Sequence, residues 1–202
     1  MGSIKHVRNL LAAAAWLALP AAARAQYETP VNPPDPAAQL AEMIALYDSV
    51  CLRGFPNDEA AARDMTARGA VPMSDAEVRS LLRDDPGRGW NVAGRTARFR
   101  VTIEGPPFHA CGVRTMAAAA FPDMAPYRAL AARFEAGGAY RSFGPQSMVV
   151  DNVDSTAAGE RRDDRGRTES LMVFLGTPVA KLRDAAHSAV EIRFVHQIYA
   201  PH

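Results

Sequence analysis

Cys51, Cys111, a handful of histidines and two alternating arginines are the residues whose types and spacing bear on chemistry in this 202-residue chain. Cys51 and Cys111 are the only cysteines, and an even pair in an oxidising compartment forms one disulfide. Their separation is wrong for a CxxC redox motif. Closing so long a loop stabilises by about 4 kcal/mol in the chain-entropy account. His109-Ala110-Cys111 puts two soft ligands on one strand face, but a bonded Cys111 leaves the histidine alone. No HExxH and no Cys/His quartet at zinc spacing accompanies it, so neither a metal nor a cofactor is expected.

His196 falls on the apolar side of an alternating segment. A histidine there is either a base lining a pocket or a core group held by hydrogen bonds, and its neighbours in sequence offer no acid on that face. Arg98 and Arg100 alternate with apolar residues and share their side with Glu104. Two guanidinium groups so placed can grip a carboxylate or phosphate, or form the solvated side of an edge strand. His109, Arg98, Arg100 and His196 are therefore the candidate ligand-binding residues. Nucleophile elbows, S-x-x-K, P-loops and dinucleotide fingerprints are all missing, and Ser142 lies in Tyr140-Arg141-Ser142-Phe143-Gly144, which matches none of them. Gly87-Arg88-Gly89 reads as a turn, and the mixed charges from Glu160 to Arg167 read as a solvated loop tip.

The elements that must position these side chains follow from periodicity. Asp35-Pro36 starts a helix whose stripe runs through Leu40, Met43, Ile44 and Tyr47 to Val50 and Cys51. A shorter helix opens at Asn57 or Asp58 and stops before Gly69, and Ser74-Asp75-Ala76-Glu77 is a capping box for a third. The period then changes to two: Phe99, Val101 and Ile103 face inward, Gly105-Pro106-Pro107 turns the chain, and 108–114 returns with Cys111 and Val113 on one side. Trp90 leads into the first of these strands. A helix over 123–136, strands at 147–153 and 170–175 around a polar loop at 154–167, a short helix over 177–187 and a last strand from Val190 complete the order. The expected fold is α+β: an antiparallel sheet of about five strands, N-terminal helices, one helix between hairpins, and one disulfide as a staple. Gly54-Phe55-Pro56 and Gly105-Pro106-Pro107-Phe108 are expected to pack together around that bridge.

Residues 1–25 have a basic opening at Lys5 and Arg8, an apolar run and an Ala23-Arg24-Ala25 ending, the pattern of a secretory signal peptide cleaved before Gln26. The apolar run falls short of the roughly 20 residues a spanning helix needs. Residues 26–35 form a proline-rich tether and 36–202 a single domain. Lys+Arg 23 against Asp+Glu 22, with Lys5, Arg8 and Arg24 in the leader, leaves a near-neutral remainder, which argues against nucleic acid and against a polybasic membrane surface. The reading is an exported, soluble, periplasmic or secreted protein with no transmembrane segment after cleavage. It works as a non-catalytic binding or accessory module for an envelope protein or small ligand. The alternative is a periplasmic hydrolase or ligand-modifying enzyme with a pocket between helix 123–136 and the sheet, and with His109 and His196 as acids or bases.

Overall fold

The computed structural model describes residues 35–150, 152–180 and 189–200, without the side chain of Val150. The leader, all but the last residue of the tether, and 181–187 of the expected short helix lie outside these residues.

The N-terminal helices form where local chemistry places them. Asp35 accepts a hydrogen bond from the Ala37 amide, and α1 (Pro36–Tyr47) follows with Pro36 in its first turn. Its stripe of Leu40, Met43, Leu46 and Tyr47 is buried. The chain continues as a π-helical segment, Asp48–Gly54, which keeps Val50, Cys51 and Leu52 inside. Asn57 caps α2 (Asp58–Ala67) through the Ala60 amide. Ser74 and Glu77 make both halves of the capping box of α3 (Asp75–Leu82). The fourth helix, α4 (Ala125–Glu135), buries Tyr127, Leu130 and Ala131.

Between and after the helices run β1 (Val71–Pro72), β2 (Gly87–Ala93), β3 (Arg98–Glu104), β4 (Phe108–Ala117), β5 (Arg141–Val150), β6 (Val153–Asp164), β7 (Arg167–Pro178) and β8 (Val190–Tyr199). They form one eight-stranded sheet in the order β1-β2-β3-β4-β8-β7-β6-β5 with every pairing antiparallel. The first meander ends at β4. From there α4 carries the chain to the far edge, and the second meander returns until β8 closes on β4.

The α+β class and the disulfide hold, but eight strands replace the expected five or so. Gly87-Arg88-Gly89 is strand and not turn, because α3 lies on β2: a methyl on Gly87 would stand 2.4 Å from Leu82 Cδ1, and one on Gly89 2.6 Å from Met73 Sδ. The charged stretch is also strand. Arg165 and Gly166, both at positive φ (48° and 83°), make the hairpin turn, and Asp163 ties the strands through Arg141 at 2.9 Å and Thr168 Oγ1 at 2.7 Å. Thr177 and Pro178, the expected start of the short helix, are the last residues of β7.

Alternation divides the sheet into two faces. Phe99, Val101, Ile103, Val113, Ile192, Phe194 and Leu171 join α1, the π-helical segment and α4 in the core on the front face. The back face carries α3 at the β2 end, through Met73, Val78 and Leu82. Cys51 and Cys111 are bonded, with Cα atoms 5.3 Å apart. Phe55 packs 4.5 Å from the His109 ring, and Phe108, the adjacent residue in sequence, stacks on Tyr199 at 5.0 Å.

Candidate functional site

The residues of β3, β4 and β8 that alternate away from the core include Arg100, Arg114 and Arg193, and the strand register sets them side by side. Arg100 is opposite Arg114, Arg114 opposite Arg193, and Arg193 opposite Phe174 of β7. Like charges directly opposite on neighbouring strands repel. These are also sheltered: Arg114 is only 6% exposed. Burial, then the Arg114 charge beside them, pulls Arg100 and Arg193 down to about 10. Burial lowers Arg114 as well, against the opposing pull of Glu191 and Glu104.

Among the described residues, protein groups leave part of the Arg114 and Arg193 guanidinium groups unmatched. Glu191 approaches Arg114 Nη1 to 3.8 Å, an ion-pair distance too long for a hydrogen bond. The Arg193 guanidinium lies 4.2 Å over the Phe174 ring, a stacking arrangement that fixes its plane without satisfying its N–H groups. Among the described residues, the buried Nε atoms of both Arg114 and Arg193 have no hydrogen-bond partner. A buried donor left unmade costs about 1–3 kcal/mol, more when charged.

Beside these arginines the back face holds a cavity of about 90 Å3. Its floor is the next row of the register, Thr102, Gly112, Val195 and Met172, and Leu82 at the end of α3 contributes a wall. At the end away from the arginines stands Glu104, opposite Ala110. Burial, reinforced by the charge and hydrogen bond of Asp85, pushes the Glu104 carboxyl up to about 7, while Arg193 and Arg114 pull the other way. One cavity therefore has a guanidinium end and a carboxyl end. It can hold an anion at the first and exchange a proton near neutrality at the second.

The front face carries a second polar constellation of a different kind. His196 donates from Nδ1 to the Cys51 carbonyl and from Nε2 to Glu169, both at 2.7 Å. Both partners carry acceptor oxygens, so the ring bridges the π-helical segment to β7. Arg162 Nε completes the chain to Glu169 at 2.7 Å and lies over the Tyr140 ring. Burial raises the Glu169 carboxyl, but the hydrogen bonds from His196 and Arg162 outweigh it and hold it at about 2. With His196 1% and Glu169 5% exposed, and the rings of Phe55 and Phe134 edge-on against the imidazole, this is a sealed strut.

The four residues singled out in the sequence thus separate. Arg98 and Arg100 belong to the back face, and only Arg100 joins the arginine row. His109 and His196 belong to the front, where His109 bonds Asp58 of α2 at 2.8 Å. The missing acid for His196 comes from β7, out of reach of any local reading. Arg114, Arg193 and Gly112 were missed. Their phase was legible once Cys111 faced inward, but their adjacency depends on the β4–β8 pairing. This cavity lies behind the sheet, at the end of α3, on the face opposite α4. No family model, no curated protein and no solved structure matches this chain.

Proposed function

We propose that this chain is an exported binding module that takes a small anionic ligand on the back face of its sheet, with Arg114 and Arg193 as the anchoring residues. The observation that carries the reading is the pair of buried arginine Nε donors, adjacent in register and without an acceptor among the described residues. An anion seated between them would satisfy both donors and relieve the repulsion along the row. Arg100 adds to the local positive potential. The signal-peptide pattern of residues 1–25 supports export, and a disulfide is compatible with an extracytoplasmic location. Among the described residues no helix is long and apolar enough to cross a membrane.

The test is calorimetric titration with acetate and with inorganic phosphate at constant ionic strength. At least one should bind to the oxidised protein, and Arg114→Met or Arg193→Met should weaken it at least tenfold. Equal binding by wild type and both variants overturns the assignment.

A second reading rests on Glu104. A carboxyl near 7 in a cavity that also binds an anion is suited to general acid–base work on the bound molecule. Under that reading the protein turns its ligand over, and Glu104→Gln abolishes turnover while anion binding persists.

A further inference from the structure

The two ends of the back-face cavity are chemically opposite, and this narrows the ligand further, given the anion site proposed above. Glu104 lies four residues along β3 from Arg100, about 13 Å at the rise of a strand, and between them lie the small floor residues Thr102 and Gly112. The long side chains of Arg114, Arg193 and Glu104 close this gap from both ends. Glu104 does not stand alone, because Asp85 hydrogen-bonds it. At pH 8 the Glu104 carboxyl, pushed up to about 7, is ionised, and a bound monoanion offers it no donor. A ligand that is only an anion uses half of this cavity and brings a negative charge toward the other half.

Size points the same way. A cavity of 150 Å3 accommodates benzene, so about 90 Å3 suits a molecule on the order of four heavy atoms, the size range of acetate and glycine. We infer that the ligand is a small zwitterion, an α-amino acid of glycine's size, whose carboxylate sits on Arg114 and Arg193 and whose ammonium group meets Glu104 above Gly112. Gly112 is the position that makes room for it. A methyl added there would stand 3.4 Å from Thr102 Oγ1 and 3.8 Å from Val195 Cγ2, ordinary contacts for the fold, yet it would rise from the cavity floor.

The experiment is titration of the full chain, purified oxidised, with glycine, acetate and methylammonium at pH 8 and constant ionic strength. Glycine should bind at least tenfold tighter than acetate, and methylammonium more weakly than both. Glu104→Gln should lower glycine affinity about tenfold and leave acetate unchanged or bound more tightly. Gly112→Ala should keep or raise the melting temperature while weakening glycine about tenfold. If acetate binds as well as glycine, or Glu104→Gln leaves glycine unaffected, the zwitterion assignment falls and the anion site stands. Binding of none of the three, with phosphate also silent, removes both. A Gly112→Ala protein that binds glycine like wild type places the ligand elsewhere and overturns the inference.

Discussion

Glu104 and Glu169 are both sheltered carboxylates with opposite fates, and the difference lies in what faces them. Glu169 receives donors from His196 and Arg162; Glu104 receives another carboxyl. The pH dependence of stability should separate them. Glu169, held at about 2 against an ordinary value of 4.5, contributes stability that is complete above pH 4.5 and is lost as the pH falls toward 2. Glu104, raised to about 7, favours its protonated form in the folded state, so its contribution is complete below pH 4.5 and is lost as the pH rises through 7. Urea unfolding from pH 3 to 8 should therefore show a maximum near pH 4.5–5. Glu104→Gln should flatten the alkaline limb and leave the acid limb intact. A wild-type curve that still rises between pH 5 and 7 contradicts this account. Arg114 invites a related test. Without ligand it is a buried cation beside two others, so Arg114→Met, which keeps the apolar stem, should leave stability unchanged or raise it by about 1 kcal/mol, whereas replacing an ordinary buried polar residue destabilises.

At the level of elements, legibility followed how local the cause was. Asp35-Pro36, the Ser74–Glu77 capping box and the alternations beginning at Phe99 and Val190 are decided by neighbours in sequence, and the corresponding helices and strands formed. β2 was illegible because its glycines answer to neighbours elsewhere in the chain: a side chain at Gly87 would collide with Leu82 of α3 and the Ile103 carbonyl of β3, and one at Gly89 with Met73. β6 was illegible for the converse reason, since its charges look solvated until Arg141 and Glu169 supply cross-strand partners. In the site, Arg100 could be read and its row could not, because the register between β4 and β8 joins residues some eighty positions apart. Gly87→Ala gives this a number. A methyl 2.4 Å from the Ile103 carbonyl oxygen forces backbone movement and should cost about 1–3 kcal/mol, while the same change at Gly112 is tolerated. Chemical denaturation of the two variants side by side checks it, and equal losses would mean that α3 does not depend on those glycines.

For the molecule as a whole, the joint that matters is the one between the two meanders, and Cys51 holds both sides of it. Its sulfur is bonded to Cys111 on β4, its carbonyl accepts from His196 on β8, and Cys111 and His196 face each other in the register of that seam. One residue of the π-helical segment thereby clamps the strands that bring Arg114 beside Arg193. Cutting the disulfide by Cys51→Ser or Cys111→Ser should lower the melting temperature by the same amount, on the order of 10 °C for a loss of about 4 kcal/mol. His196→Phe keeps the aromatic packing against Phe55 and Phe134 but strands the Glu169 carboxylate with Arg162 alone, and should cost about 3–5 kcal/mol. Because both changes act on the position of Cys51, their effects should not add. The Cys111→Ser/His196→Phe pair should show a coupling of about 0.5–3 kcal/mol in a double-mutant cycle. Additivity within experimental error would mean that the disulfide and the histidine hold the seam independently. The clamp also bears on the ligand: if it sets the spacing of the arginine row, Cys111→Ser should weaken anion binding below its melting temperature although neither cysteine touches the cavity. Unchanged affinity in the folded, reduced-bridge variant would show that the β4–β8 ladder alone keeps Arg114 and Arg193 in place.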